Sequence, residues 1–152
     1  MSAAAIKAFH NAWGSSDYPP DPVDPDALAS AEAKLGTGLP QPYKLAVLQT
    51  GLPRPTIELL DFICDHEIDF ADISDFYAPD EIADETDEWR KLGMPNHLIV
   101  FASDCCGNKF SFSTQPQENA DEVWYWDHDF DSVKRLAATF EAWLNCFVAL
   151  KE

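Results

Sequence analysis

Cations are scarce in this chain. Only 10 Lys and Arg stand against 27 Asp and Glu, a formal charge of −17 with His neutral. Binding to DNA or RNA needs clustered cations on the phosphates, so a nucleic-acid partner is not expected. An anionic membrane surface is disfavoured for the same reason. Long hydrophobic runs are also missing. The longest apolar stretch, Phe140 to Leu150, is broken by Glu141 and Asn145, and it falls well short of the ~20 residues that a membrane span requires. The opening Met1-Ser2-Ala3-Ala4-Ala5-Ile6-Lys7 holds no apolar segment of signal-peptide length. A cytoplasmic protein is expected. Cysteine is sparse, and Cys64, Cys105, Cys106 and Cys146 include no CxxC pair. A secreted disulfide framework is denser and spaced differently, so reduced thiols are expected.

What the chain does have is a core. Of its 152 residues 46% are hydrophobic and 12% aromatic, enough to fold a single domain over 1–152 despite the charge. Ile6, Phe9 and Trp13 share one face of a predicted helix over 3–14. A proline-stiffened connector, 17–25, follows. Asp24 is placed to cap a helix opening at Pro25, with Leu28, Ala31 and Leu35 as its apolar stripe and Gly36 or Gly38 as its stop. A second helix after Pro40 is expected to turn Tyr43, Val47 and Leu48 inward and to end at Gly51. The two make a helical hairpin. Residues 57–63 fit both a strand and a helix, and Ile68, Phe70 and Ile73 suggest a further strand or an extended loop. A helix from Pro79 or Asp80 to about Leu92 carries Ile82, Thr86 and Trp89.

The last third reads as strand, turn, strand, loop, strand. Leu98 to Ala102 is a buried strand, 103–108 a turn, and Lys109 to Thr114 a returning strand with Phe110 and Phe112 on one face. Val123 to Trp126 is a third strand, ending in Asp127-His128-Asp129. A final helix runs to about Ala149. It starts either after Asp131 or Ser132, on the helical spacing of Val133, Leu136, Ala137 and Phe140, or later, capped by Thr139. Helices first, an antiparallel meander next and a covering helix last define an α+β fold. The expected core joins Phe101, Phe110, Phe112, Trp124, Phe140, Leu144 and Phe147 to Leu28, Leu35 and Leu48.

Three chemical readings present themselves, and each meets a physical objection. Asp127-His128-Asp129-Phe130-Asp131 starts like a calcium loop, but the required Gly and Glu are replaced by Ser132 and Ala138. An acidic turn capping the following helix is expected instead. Cys105, Cys106, Cys146 and His128 have no zinc-ligand spacing, and free cysteines usually serve as small buried hydrophobes. A nucleophile at Cys105 or Cys106 with His128 as base would sit among acids, which raise a thiol's pKa and blunt it. No enzyme, metal or cofactor is expected.

Leu28-Ala29-Ser30-Ala31-Glu32-Ala33-Lys34-Leu35-Gly36 with Leu39-Pro40 and Tyr43 resembles the opening helices of the SUKH superfamily. Ile99-Val100-Phe101-Ala102-Ser103-Asp104 with Gly107-Asn108 is similar to its strand–turn–strand. Val123 to Asp129 resembles its aromatic strand and acidic turn, and Ala137 to Leu144 its last capped helix. The resemblance covers roughly residues 26–148. It departs at Thr50-Gly51, where family members often carry Asn-Gly, and at Cys105-Cys106, where small residues are usual. It implies a non-catalytic domain that binds a protein: an immunity protein that neutralises a cognate bacterial toxin or, as in fungal relatives, an interaction module in cell-wall-synthesis regulation. From Glu58 to Glu88 acids recur, and no Lys or Arg falls between Arg54 and Arg90. Opposite fields speed encounter, so the expected partner is a basic toxin domain. The expected contacts are Asp84, Glu85 and Glu88, joined by Asp104, Asp127 and Asp129.

Overall fold

Ile6, Phe9 and Trp13 do form one buried face, that of α1 (Ser2–Trp13), in a computed structural model that describes residues 2–152. In α2 (Pro25–Leu35) the Asp24 side chain accepts from the Asp26 amide at 3.0 Å, and Gly36, at φ 73°, ends the helix by donating to the Glu32 carbonyl. The stop is Gly36 because its left-handed backbone suits a residue without Cβ. In α3 (Gln41–Thr50) the buried residues are Tyr43, Ala46 and Val47. Leu48, expected inward, is 39% exposed, one residue past the buried stripe and therefore about 100° further round the helix. The two helices follow one another, but α3 packs on α1, whereas α2 packs on α5 (Pro79–Lys91). Past α3, Gly51 at φ 95° lies against the Asp21 carbonyl, where an added Cβ would come within 2.6 Å. Only glycine fits there, and the connector is pinned back on the chain by paired hydrogen bonds between Asp21 and Leu52.

The ambiguous segment is helical: α4 (Ile57–Asp65) buries Leu59 and Ile63. Residues 68–74 form an irregular connection, bent at Asp69 and Phe70, and only Asp75–Phe76 (β1) pairs as a strand. In α5 Pro79 takes the first turn, Glu81 accepts from the Ala78 amide at 2.9 Å, and Arg90 and Lys91 lie in the last turn, where they complement the helix dipole. The strands β2 (Leu98–Ser103), β3 (Lys109–Ser113), β4 (Val123–Asp127) and β5 (Ser132–Ala137) pair antiparallel in the order β1-β2-β3-β4-β5. All six residues of β2 are buried, as suits an interior strand lying between β1 and β3 and covered on both faces.

β5 is the departure from expectation. The spacing of Val133, Leu136 and Ala137 suits a helix, but 132–137 pairs with β4, from Val123↔Ala137 to Asp127↔Ser132. It is the sheet's outer strand and its first four residues are exposed, so no alternation of buried and exposed positions marks it. The later helix start is the one observed. Thr139 caps α6 (Phe140–Val148), its hydroxyl accepting from the Ala142 amide at 3.0 Å.

One face of the sheet meets aromatic residues of α3 and α6. Phe101 and Phe112 stack at 4.2 Å, and Tyr43 and Phe140 close on them edgewise. The other face is covered by α5, whose Thr86 hydroxyl accepts from the Val100 amide at 3.1 Å. Of the expected core, Leu35 and Trp124 are only half-buried; in β4 the buried positions are Val123 and Trp126. Among the described residues no helix is long and apolar enough to cross a membrane.

Candidate functional site

With Ile82, Ala83 and Thr86 turned inward, the geometry of α5 leaves Asp80, Glu81, Asp84, Asp87 and Glu88 exposed. Lys91 spans back to Asp87 at 3.0 Å, and Arg90 donates to the Leu98 carbonyl at 3.1 Å. The outer face of this helix is therefore strongly negative.

Glu85 does a different job. Its carboxylate accepts from the Trp89 indole at 3.0 Å and lies 3.7 Å from the ammonium of Lys109, a side chain only 6% exposed. Lys109 also donates to the Tyr77 hydroxyl at 2.6 Å and sits over the Tyr77 and Trp89 rings at 5.2 and 5.0 Å. This buried cation was not singled out from sequence. Two signals pointed to it: it is the only Lys or Arg between Lys91 and Lys134, and it alternates with Phe110 at the start of a strand.

At the same end of the sheet, the β2–β3 turn is organised by Asp104. One carboxylate oxygen accepts from the Cys106 and Asn108 amides, both at 2.9 Å; the other accepts from the Tyr125 hydroxyl at 2.6 Å. Burial and the neighbouring Asp104 push the Tyr125 phenol well above its usual pKa. Asn108 in turn faces His128 Nδ1 at 2.6 Å through its Oδ1. Asp104 is 6% exposed and fully engaged, so it belongs to the frame of the turn and is withdrawn from the expected contact surface.

Asp127 accepts from the Asp129 and Phe130 amides at 2.9 and 3.3 Å, and Asp131, at φ 48°, accepts from the Trp126 indole at 2.9 Å. The acidic run thus shapes the β4–β5 turn and caps no helix, contrary to expectation. Asp129 is exposed, 3.4 Å from His128 Nε2. The His128 ring contacts Trp89 edgewise at 5.6 Å, which brings this turn alongside the C-terminal half of α5. Of the six expected contacts, Asp84, Glu88 and Asp129 are exposed, Glu85 and Asp127 are half-buried, and Asp104 is buried.

The acidic block from Glu58 to Glu88 is not one surface. Its first acids ride on α4 and its last on α5, a helix whose main packing partners are α2 and β2. Between them Asp72 is buried, its Oδ1 accepting from the Cys105 amide at 3.0 Å. The cysteines also depart from expectation: all four are exposed rather than buried. Desolvation, then the Asp72 carboxylate and Cys106, push the Cys105 thiol up to about 12. His128 Nδ1 is committed to Asn108. Among the described residues no group of three or more His, Cys, Asp or Glu is placed to hold a metal ion. An apolar hollow of about 310 Å³ lies between the sheet and α6, lined by Phe70, Phe110, Tyr125, Leu136, Trp143 and Phe147.

The model of the SMI1 / KNR4 family (SUKH-1) matches residues 22–146. The chain belongs to that family. The match runs from the proline connector to α6, so it takes in the acidic helix, the whole sheet and both sheet-end turns. No curated protein matches the chain. Membership supports a role in protein interaction or immunity, and within this SUKH-1 chain the accessible acids lie on α5 and the β4–β5 turn.

Proposed function

We propose that the chain is a non-enzymatic immunity protein that binds a basic toxin domain through the outer face of α5 and the adjoining β4–β5 turn, blocking the toxin's active or substrate-binding surface. The observation that carries this reading is the exposed row Asp80, Glu81, Asp84, Asp87 and Glu88 on one short helix of a chain with charge −17. Like charge at this density opposes compactness, and the Glu81 cap and the Asp87–Lys91 pair offset it only locally. A positively charged cleft built for phosphates would accept the row in place of nucleic acid. Asp84, Glu88 and Asp129 supply accessible charge, while Glu85, Asp104 and Asp127 hold the surface in shape.

The test begins with capture from the native lysate by wild-type protein and by an Asp84→Lys/Glu88→Lys variant. A captured basic protein that is toxic when expressed alone, and harmless when co-expressed with wild type, supports immunity. Its association rate should fall steeply with salt, because exposed charges are screened beyond about 8–10 Å near physiological ionic strength. A captured partner that is not toxic points to the regulatory module. A partner that binds equally fast in low and high salt, and equally well to the double variant, overturns the acidic-face assignment.

A further inference from the structure

Cys105 and Cys106 lie outside the surface proposed above. They occupy the tip of the β2–β3 turn, both are exposed, and their sulfurs are 3.7 Å apart. The backbone beneath them is held: the Cys105 amide donates to Asp72 and the Cys106 amide to Asp104. Two thiols are therefore presented side by side on a fixed turn.

A direct S–S bond suits this arrangement poorly. Neighbouring Cα atoms across a trans peptide are about 3.8 Å apart, whereas relaxed disulfides span roughly 4.4–6.8 Å between Cα atoms. A larger atom inserted between the sulfurs lengthens the ring and removes the conflict. Soft thiolates select soft centres. Zinc would require four ligands or three with a water, and the nearby carboxylates of Asp72 and Asp104 already accept backbone amides.

We propose that Cys105 and Cys106 form a dithiol site for trivalent arsenicals, soft centres that take two sulfurs and need no further protein ligand. With an organoarsenic(III) oxide, both S–H bonds and the arsenic–oxygen bonding break and two As–S bonds form. The oxygen leaves as water with the two thiol protons. Arsenic stays trivalent, and neither sulfur changes oxidation state. The raised Cys105 thiol is protonated at neutral pH, which slows one-point alkylation. Capture at two points survives because the second bond forms at high effective concentration.

The experiment treats the purified full chain with phenylarsine oxide and reads the intact mass, with peptide mapping to locate the adduct. One phenylarsenic group per chain is expected, mapped to Cys105–Cys106, retained in excess glutathione and released by 2,3-dimercaptopropanol. Cys105→Ser and Cys106→Ser should each abolish it, with thermal unfolding unchanged, and Cys64→Ser and Cys146→Ser should keep it. An adduct that glutathione removes from the wild type, that persists in Cys105→Ser, or that maps to Cys64 or Cys146 overturns the proposal. The mapping on wild-type protein decides the matter even where a variant fails to fold.

Discussion

The Tyr125 hydroxyl donates to the Asp104 carboxylate at 2.6 Å, joining β4 to the β2–β3 turn across 21 positions of sequence. Tyr125→Phe removes one donor from a half-buried site and should lower stability by about 1 kcal/mol. Asp104→Ala also strands the buried Asn108 amide and should lower it by at least about 2 kcal/mol. Urea unfolding should rank the two in that order. Equal effects would mean that Asp104 does not organise the turn.

Lys109 and Glu85 offer an asymmetric pair. Removing the carboxylate by Glu85→Gln leaves a nearly buried ammonium with only the Tyr77 hydroxyl and two ring faces, which should reduce stability by about 1–3 kcal/mol, discounted for the partial exposure of Glu85. Lys109→Met removes the buried charge itself and should fall within about 1 kcal/mol of wild type. Thermal melts of both variants check the order.

Phe140 is fully buried and meets Tyr43 at 5.2 Å and Phe101 at 5.8 Å. Phe140→Ala should cost about 3–5 kcal/mol, a large part of a typical domain's stability. Thr139→Ala, which removes only the cap, should cost about 1 kcal/mol. A melt of the Phe140 variant at the wild-type temperature would contradict the observed placement of α6.

Alkaline pH should weaken the fold. Burial raises the Tyr43 and Tyr125 phenols above their ordinary value of 10, and the Cys105 thiol rises from 9.0 to about 12. Above pH 9 the unfolded chain therefore releases protons that the folded chain keeps. The stabilisation is complete below the unfolded values and is lost as pH rises toward the folded ones. Urea midpoints at pH 8, 9.5 and 10.5 should fall in sequence, and Tyr125→Phe should flatten the decline.

The three polar positions once suspected of chemistry give a sharper check on binding as the activity. Cys105→Ser/Cys106→Ser/His128→Asn should keep partner affinity and any protection within a few-fold of wild type, provided the variant folds. Folded protein that binds but no longer protects would restore a catalytic reading.

Much of this structure is legible from the chain. The ends of α2 follow from Asp24, Pro25 and Gly36, and the inward face of α1 from Ile6, Phe9 and Trp13, because caps and helical spacing are local properties. β5 was hidden because an outer strand needs little apolar patterning, and Val133, Leu136 and Phe140 happen to mimic a helix. The acidic surface was legible as composition but not as place. Whether a carboxylate faces water or a turn depends on backbone amides brought from elsewhere, as at Asp72, whose partner is 33 residues away. Lys109 was missed for the same reason: its ring and carboxylate neighbours come from α5 and from the segment before it.

β5 leaves a row of backbone groups at the open margin of the sheet, guarded by the exposed side chains of Lys134 and Arg135. Two cations are a thin guard, since such margins invite pairing with another chain. At neutral pH the mutual repulsion of molecules carrying −17 does most of the protecting. Near the isoelectric point of about 4.3 that repulsion vanishes. Self-association should then set in while the fold is still intact, so acidification turns a well-dispersed solution into one that assembles margin to margin, reversibly on neutralisation.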